Sequence, residues 1–427
     1  MRWRQSCTAL RKKRPRSFGA PTVLPTNQVF QCKRADMNFW LSLPRPVIGL
    51  SPMDGVTDVC FRSVIAQQGK PDVSFTEFTH VYDVCHGPEL HLETLLYSER
   101  ERPIVAQLYG KDPDLFYLAA QVVCELGFDG LDINMGCPSK SVASSGSGAG
   151  LIRTPELART IMQAAKRGIE DWAGGQTLEQ AGFKSARVAM FERLNQQRGQ
   201  TGPAPRRRLP LSVKTRLGYD SVTVEGWVEV LLREQPAAIS LHGRTLRQMY
   251  RGTADWSAIA RAAALLRGTG TLLLGNGDIQ SLDDIARRVC ETGVDGVLVG
   301  RGMLGAPWFF RLKEQARMRT PGANGTDGGQ DPGEVSLNER FALLVDHAQQ
   351  FQTLVGEKQF YRMRKHLGWY CKGFPHAASL RAQMVRVSSV EELQAVLAEF
   401  HDRPETIPNL PQVESADEPS LLVSRCS

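Results

Sequence analysis

No C-x-x-C pair occurs among the nine cysteines, at 7, 32, 60, 85, 124, 137, 290, 371 and 426, and their number is odd. That excludes a small disulfide-stapled scaffold; reduced thiols in a cytoplasmic protein with no metal site are expected. No apolar run approaches the ~20 residues a membrane-spanning helix needs, so no membrane partner is expected. No apolar stretch follows the basic N-terminus, which argues against a secretory signal peptide. What is present is ordinary for a globular chain: 427 residues, 42% hydrophobic and 23% charged, which excludes wholesale disorder or a collagen-like fibre. The length suits one large domain of roughly 250 residues and a smaller one.

Acidic residues are scarce in two places. The formal net charge is +7, yet residues 1–36 alone hold nine Lys or Arg against Asp36, a local +8, which leaves the remainder at −1. The leader reads as a disordered tail, a transit sequence, a nucleic-acid-binding arm, or the consequence of a true start at Met37. At 356–390, Lys358, Arg362, Arg364, Lys365, Lys372, Arg381 and Arg386 face the single acid Glu357, among Phe360, Tyr361, His366, Trp369, Tyr370, Phe374 and His376. Basic residues among aromatics suit a surface that contacts an RNA backbone, and equally a solvated helix face above a packed one.

Between these regions short apolar runs alternate with helical spacing. Eight runs, at 46–53, 73–78, 104–110, 130–136, 211–218, 238–244, 272–278 and 296–302, read as buried parallel strands with helices between them. Eight β-then-α units predict a (β/α)8 TIM barrel over 44–319, followed by a small C-terminal helical domain. The remaining boundaries are a basic, disordered extension over 1–43, an insertion at about 167–209 on the face opposite the active-site loops, a glycine-rich linker at 320–334, the helical domain at 335–402 and a tail at 403–427. Ser336-Leu337-Asn338-Glu339 is a capping box opening a helix with Phe341, Leu344, Ala348 and Phe351 on its apolar stripe.

Barrel chemistry collects at the C-terminal ends of the strands. Seven ends carry polar or glycine-rich clusters: Ser51-Pro52-Met53-Asp54, Gln107-Leu108-Tyr109-Gly110, Asn134-Met135-Gly136-Cys137-Pro138, Lys214-Thr215-Arg216, His242-Gly243-Arg244, Asn276-Gly277-Asp278 and Gly300-Arg301-Gly302. The last two, glycine-rich and expected to run into helix starts, predict a phosphate-bearing ligand. Cys137 lies on a turn at the mouth. As a thiol of ordinary pKa it is mostly protonated at neutral pH and able to act as a general acid. As a nucleophile it would need a base, for which His242 is the only candidate at the mouth.

These motifs, read together with Asp132-Ile133 before Asn134 and Ser139-Lys140 after Pro138, resemble the tRNA-dihydrouridine synthases over roughly residues 44–395. Met363-Arg364-Lys365-His366 with Trp369-Tyr370-Cys371-Lys372-Gly373 is similar to the bacterial B-type (NifR-like) branch, and Pro138-Ser139-Lys140 to the C-type branch. The resemblance implies a monomeric flavin enzyme that reduces the C5=C6 bond of tRNA uridines. FMN would rest on Pro52, Met53 and Asp54, with Gln107 and Lys214 near its ring. His242, Asn276, Gly277, Asp278, Gly300 and Arg301 would hold its ribityl chain and phosphate. It further implies Cys137 as proton donor and Asn134 as uracil contact; Arg216 is expected as a further substrate contact, and Arg362, Lys365 and Lys372 of the basic 356–390 segment as tRNA contacts. The absence of a strand-associated G-x-G-x-x-G means no separate nicotinamide domain, so NADPH or NADH would visit the flavin transiently. Asp54, where many members carry Ala, and Ser144 and Ser145, where many are basic, depart from the pattern. A small-molecule pyrimidine flavoenzyme of the dihydroorotate dehydrogenase type is the alternative; it needs no basic helical domain.

Overall fold

The computed structural model describes residues 38–200, 202–318 and 335–401. The basic leader with its Met37, the 320–334 linker and the 403–427 tail lie outside the described residues.

Eight strands form, β1 (Val47–Leu50), β2 (Ser74–His80), β3 (Ile104–Tyr109), β4 (Gly130–Met135), β5 (Leu211–Arg216), β6 (Ala238–His242), β7 (Leu272–Asn276) and β8 (Gly296–Val299). Each pairs in parallel with its neighbour. Closure between β1 and β2 comes from the Leu50 N–H donating to Val73 O and the Asp72 N–H to Ile48 O, both at 3.0 Å. A helix follows every strand before the next element of the barrel begins, as the eight-unit pattern requires. Local signals set the helix ends. Asp112 accepts from the Asp114 and Leu115 N–H groups just before Pro113 opens its helix, and Ser281 with Asp284 forms a capping box on the helix that ends at Gly293 in the left-handed region.

Alternation along each strand sorts residues into two layers. Outward positions such as Ile133, Val213 and Leu241 pack beneath the helices in the largest core. Inward positions change character from one end of the barrel to the other. Near the strand starts Val47, Phe75, Val105, Ala238, Leu272, Leu274 and Leu298 form an apolar floor with Trp40. Trp40 comes from a 3-10 turn, Phe39–Ser42, and its ring lies 6.2 Å from Phe75. Residues 38–43 are therefore a plug under the barrel and not part of a disordered extension, because Trp40 is buried completely. Above the floor the inward residues are polar. The register sets Gln107 beside Asp132, Asn134 beside Lys214, Arg216 beside His242, and His242 beside Asn276.

The stretch expected as an insertion holds a helix, Ser185–Gln197, whose Phe191 and Leu194 join the outer core. It does not stay on the face opposite the mouth. Arg187 donates to the carbonyls of Val84 and Gly87, just beyond β2, while Arg207 donates to Phe128 O near the start of β4, so the segment runs up the flank of the barrel.

The C-terminal helices Leu337–Val355, Arg364–Tyr370, Ala377–Met384 and Val390–His401 surround their own core, which also takes in Cys60 and Trp308 from the barrel. Phe61, from the first barrel helix, lies 5.4 Å from the His347 ring and 4.8 Å from His366. Gly305 sits at φ +73°, and a Cβ there would come within 2.0 Å of Trp369 O, so only glycine permits this approach.

Candidate active site

The mouth is organised from a buried carboxylate upward. Asp132 on β4 accepts from Ser212 Oγ and from Gln107 Nε2, each at 2.7 Å. Burial pushes its pKa up to about 6, opposed by those two hydrogen bonds. Gln107 Oε1 accepts from Asn134 Nδ2 at 3.0 Å, and Asn134 Oδ1 accepts from the backbone N–H groups of Gly136 and Cys137 at 3.0 and 2.9 Å. The side chain of Asn134 thus shapes the turn that carries Cys137. That thiol is half-buried, and burial raises its pKa, so it carries its proton at neutral pH.

Across from this turn, Lys214 Nζ donates to Asn276 Oδ1 at 3.3 Å, and Asn276 Nδ2 to Leu298 O at 2.8 Å. Burial first, and the neighbouring Arg216 charge second, lower the Lys214 pKa to about 8. His242 stays neutral because burial and the Arg216 and Lys214 charges hold its pKa well below the usual value. Its Nδ1 is buried without a partner. No hydrogen bond joins His242 to Cys137 among the described residues, which leaves the thiol without the base that a nucleophile needs.

Arg216 departs from the substrate-contact expectation. It is 4% exposed, and its guanidinium donates to Gly136 O at 2.7 Å and to Thr245 O and Met249 O at 3.1 Å. It ties two mouth loops together. Asp278 likewise points away from an anion: it accepts from Arg244 Nη2 at 2.9 and 2.8 Å and from the Ala254 N–H at 2.7 Å. A carboxylate repels phosphate, so Asp278 acts on its neighbours. Gly277 beside it sits at φ +127°, where a Cβ would lie 2.8 Å from Ala254 Cβ. Arg301, 3.4 Å from Asp278, is half-exposed, with its guanidinium 5.5 Å from the centre of the Tyr250 ring. The expected helix start after β8 is only a one-turn 3-10 segment, Arg301–Met303. At Gly300 a Cβ would lie in ordinary van der Waals contact with Met53 Sδ at 3.6 Å and Ser51 Cβ at 3.7 Å, so the ends of β1 and β8 adjoin, as the Ser51 N–H donating to Val299 O at 2.8 Å also shows.

Pro52, Met53 and Asp54 form the turn after β1, closed by the Val56 N–H donating to Met53 O at 3.0 Å. Lys365 does not face solvent as an RNA contact. Its ammonium donates to Gly55 O in this turn and lies among Asp54, Asp58 and Glu77. Burial, with Asp58 and Asp54 nearby, pushes Glu77 up to about 7. Arg364 is tied to the Val387 and Arg386 carbonyls. Arg362 is partly buried, with its guanidinium over the Phe351 ring, and Lys372 is exposed. Phe360, His366 and Tyr370, counted among the interleaved aromatics, are buried core; Tyr361, 60% exposed, is not.

Sequence reasoning named Asp132 and Tyr109 without giving either a role and passed over Tyr250; both tyrosines stand close to Cys137 and Asp54. Their only signal was position, one at the end of β3 and the other on the loop after β6. As a set, the residues fit a planar cofactor bearing an anionic tail. There is an apolar shelf at Pro52 and Met53, buried donors at Gln107 and Lys214, an unpartnered His242 nitrogen, and glycine backbone at the ends of β7 and β8.

A family model described as Dihydrouridine synthase (Dus) matches residues 49–171 and 205–405, leaving out most of the flank segment with its Ser185–Gln197 helix. A probable tRNA-dihydrouridine synthase 2 of Bacillus subtilis (strain 168) is 34% identical over 370 residues, 85% of this chain and 96% of that protein. A probable tRNA-dihydrouridine synthase of Staphylococcus aureus (strain MRSA252) is 33% identical over 371 residues, 85% and 95% of the two chains. Among solved structures, DHODH from Eimeria tenella aligns over 70% of this chain at 14% identity and a TM-score of 0.40, too loose a likeness to support the alternative reading. The family match and the relatives, covering barrel and helical domain together, agree: this chain belongs to the dihydrouridine synthase family.

Proposed function

We propose that the protein reduces the C5=C6 bond of uridines in tRNA to 5,6-dihydrouridine, with FMN as cofactor, NADPH or NADH as reductant and Cys137 as the acid. The observation that carries the reading is the half-buried Cys137, whose backbone N–H donates to Asn134 Oδ1 at the mouth, with Lys214 beside Asn134 on the neighbouring strand. In this reading Pro52, Met53, Gln107 and Lys214 hold the flavin ring. The backbone at Gly277 and Gly300 and the Arg301 side chain hold its phosphate, with His242 and Asn276 along the chain between.

FMN, when bound and reduced, supplies hydride to C6 of the uracil. The residues supply the rest. As negative charge spreads onto C5 and O4, Cys137 passes its proton to C5, which completes the addition across the double bond. Lys214, still largely charged at neutral pH, stabilises the anionic partner in this step, and the Asn134 N–H steadies the base edge. A target uridine must leave its stack to reach a barrel mouth, so a docking surface is needed, and the basic helical domain beside the mouth serves that role.

Purified protein tests this directly. A yellow flavin spectrum bleached by NADPH and restored by tRNA lacking dihydrouridine, with dihydrouridine then found in the tRNA, is expected. Recovery of colour with orotate or a free pyrimidine, and none with tRNA, would overturn the proposal in favour of a small-molecule enzyme.

A further inference from the structure

The side-chain chain running from Asp132 to Cys137 has a fixed polarity. At its lower end the Asp132 carboxylate, wholly buried, can only accept, and Gln107 Nε2 donates to it. At its upper end the Gly136 and Cys137 N–H groups can only donate, and both reach Asn134 Oδ1. Between them Asn134 Nδ2 donates to Gln107 Oε1. The two ends impose the same orientation on both amides. Turning either one would set N–H against N–H or oxygen against oxygen in a buried site, leaving polar groups there unpaired. Each amide nitrogen therefore keeps one hydrogen to offer and neither presents its oxygen. Lys214 Nζ, next to Asn134 in the sheet register, is a donor as well, and so is the protonated Cys137 thiol.

We propose that Asp132 is a positioning residue that decides which pyrimidine is reduced: by locking Gln107, and through it Asn134, it leaves the Asn134 N–H free as a donor that pairs with a carbonyl beside the double bond and rejects an amino group there. This rests on the reading of the mouth as a pyrimidine-reducing site. A 4-oxo ring offers O4, the atom onto which charge moves as C6 takes hydride. A 4-amino ring turns N–H toward N–H and leaves buried donors unpaired, a mismatch that hydrogen-bonding sites reject by about 10⁴-fold.

Two tRNA transcripts that differ only in carrying uridine or cytidine at the reduced position separate these effects, with the rate of reoxidation of NADPH-reduced flavin as the readout. The wild-type enzyme is expected to prefer uridine by at least about 10³-fold. Asp132→Leu removes the acceptor and should raise the relative rate on cytidine at least about tenfold. Asp132→Asn should restore the wild-type ratio, since its Oδ1 can still accept from Gln107 while its Nδ2 donates to Ser212 Oγ. If Asp132→Leu retains flavin poorly, the same comparison is made with FMN in excess and carries the same expectation. Equal slowing on both transcripts in these variants, or an Asp132→Asn enzyme whose ratio stays relaxed, would overturn the assignment. A wild-type enzyme inactive on the uridine transcript would instead overturn the underlying reading of the site.

Discussion

At the scale of single residues, the chemistry depends on which groups carry protons. Cys137→Ala removes the acid and leaves the turn intact, because the bond to Asn134 runs through the residue 137 backbone N–H. The expected result is a loss of about 10²–10⁴-fold in dihydrouridine formation, with flavin and tRNA binding retained. Rapid-mixing measurement of flavin reoxidation checks it, and full activity would remove the thiol from the chemistry. Lys214 predicts a pH effect. Its pKa of about 8 means that its charge is present below that pH and fades above it, so the reoxidation rate should fall as pH rises through about 8. Lys214→Gln should be slow throughout and lack that limb. Cys137 was legible in the sequence because Gly136 and Pro138 mark a turn. Asp132 was not, since an acid inside a strand looks the same whether it faces solvent or a buried amide. Only the register that sets it beside Gln107 and Ser212 tells the two apart.

At the scale of elements, all eight strands could be read from apolar runs, because buried parallel strands need no polar alternation. What could not be read was which side of the 356–390 segment faces inward. Basic and aromatic residues alternate there, and the sequence cannot say that Phe360, His366 and Tyr370 are core while Lys365 reaches the turn after β1. Two of the cations expected as tRNA contacts should therefore behave differently. Lys372→Gln, at an exposed position, should weaken tRNA binding and reduce its salt slope by about one. Lys365→Met should leave that slope unchanged and instead loosen flavin retention, since it frees the turn holding Pro52 and Met53. Fluorescence titrations with tRNA at several salt concentrations, together with the flavin-to-protein absorbance ratio, distinguish the two. A flattened salt slope in Lys365→Met would return that lysine to the RNA surface.

At the scale of the molecule, barrel and helical domain share side chains. Cys60 and Trp308 lie in the helical core, Phe61 packs on two of its histidines, and Gly305 touches Trp369 backbone. Domains joined in this way should unfold together. Scanning calorimetry is expected to give one transition, and two resolved peaks would show that the joint contributes little. The apolar floor sealed by Trp40 has a practical consequence of its own. The turn Phe39–Ser42 lies on the underside of the barrel, with Leu41 exposed there. A surface anchor attached at residue 41 would immobilise the enzyme mouth-up, open to a macromolecule as large as tRNA.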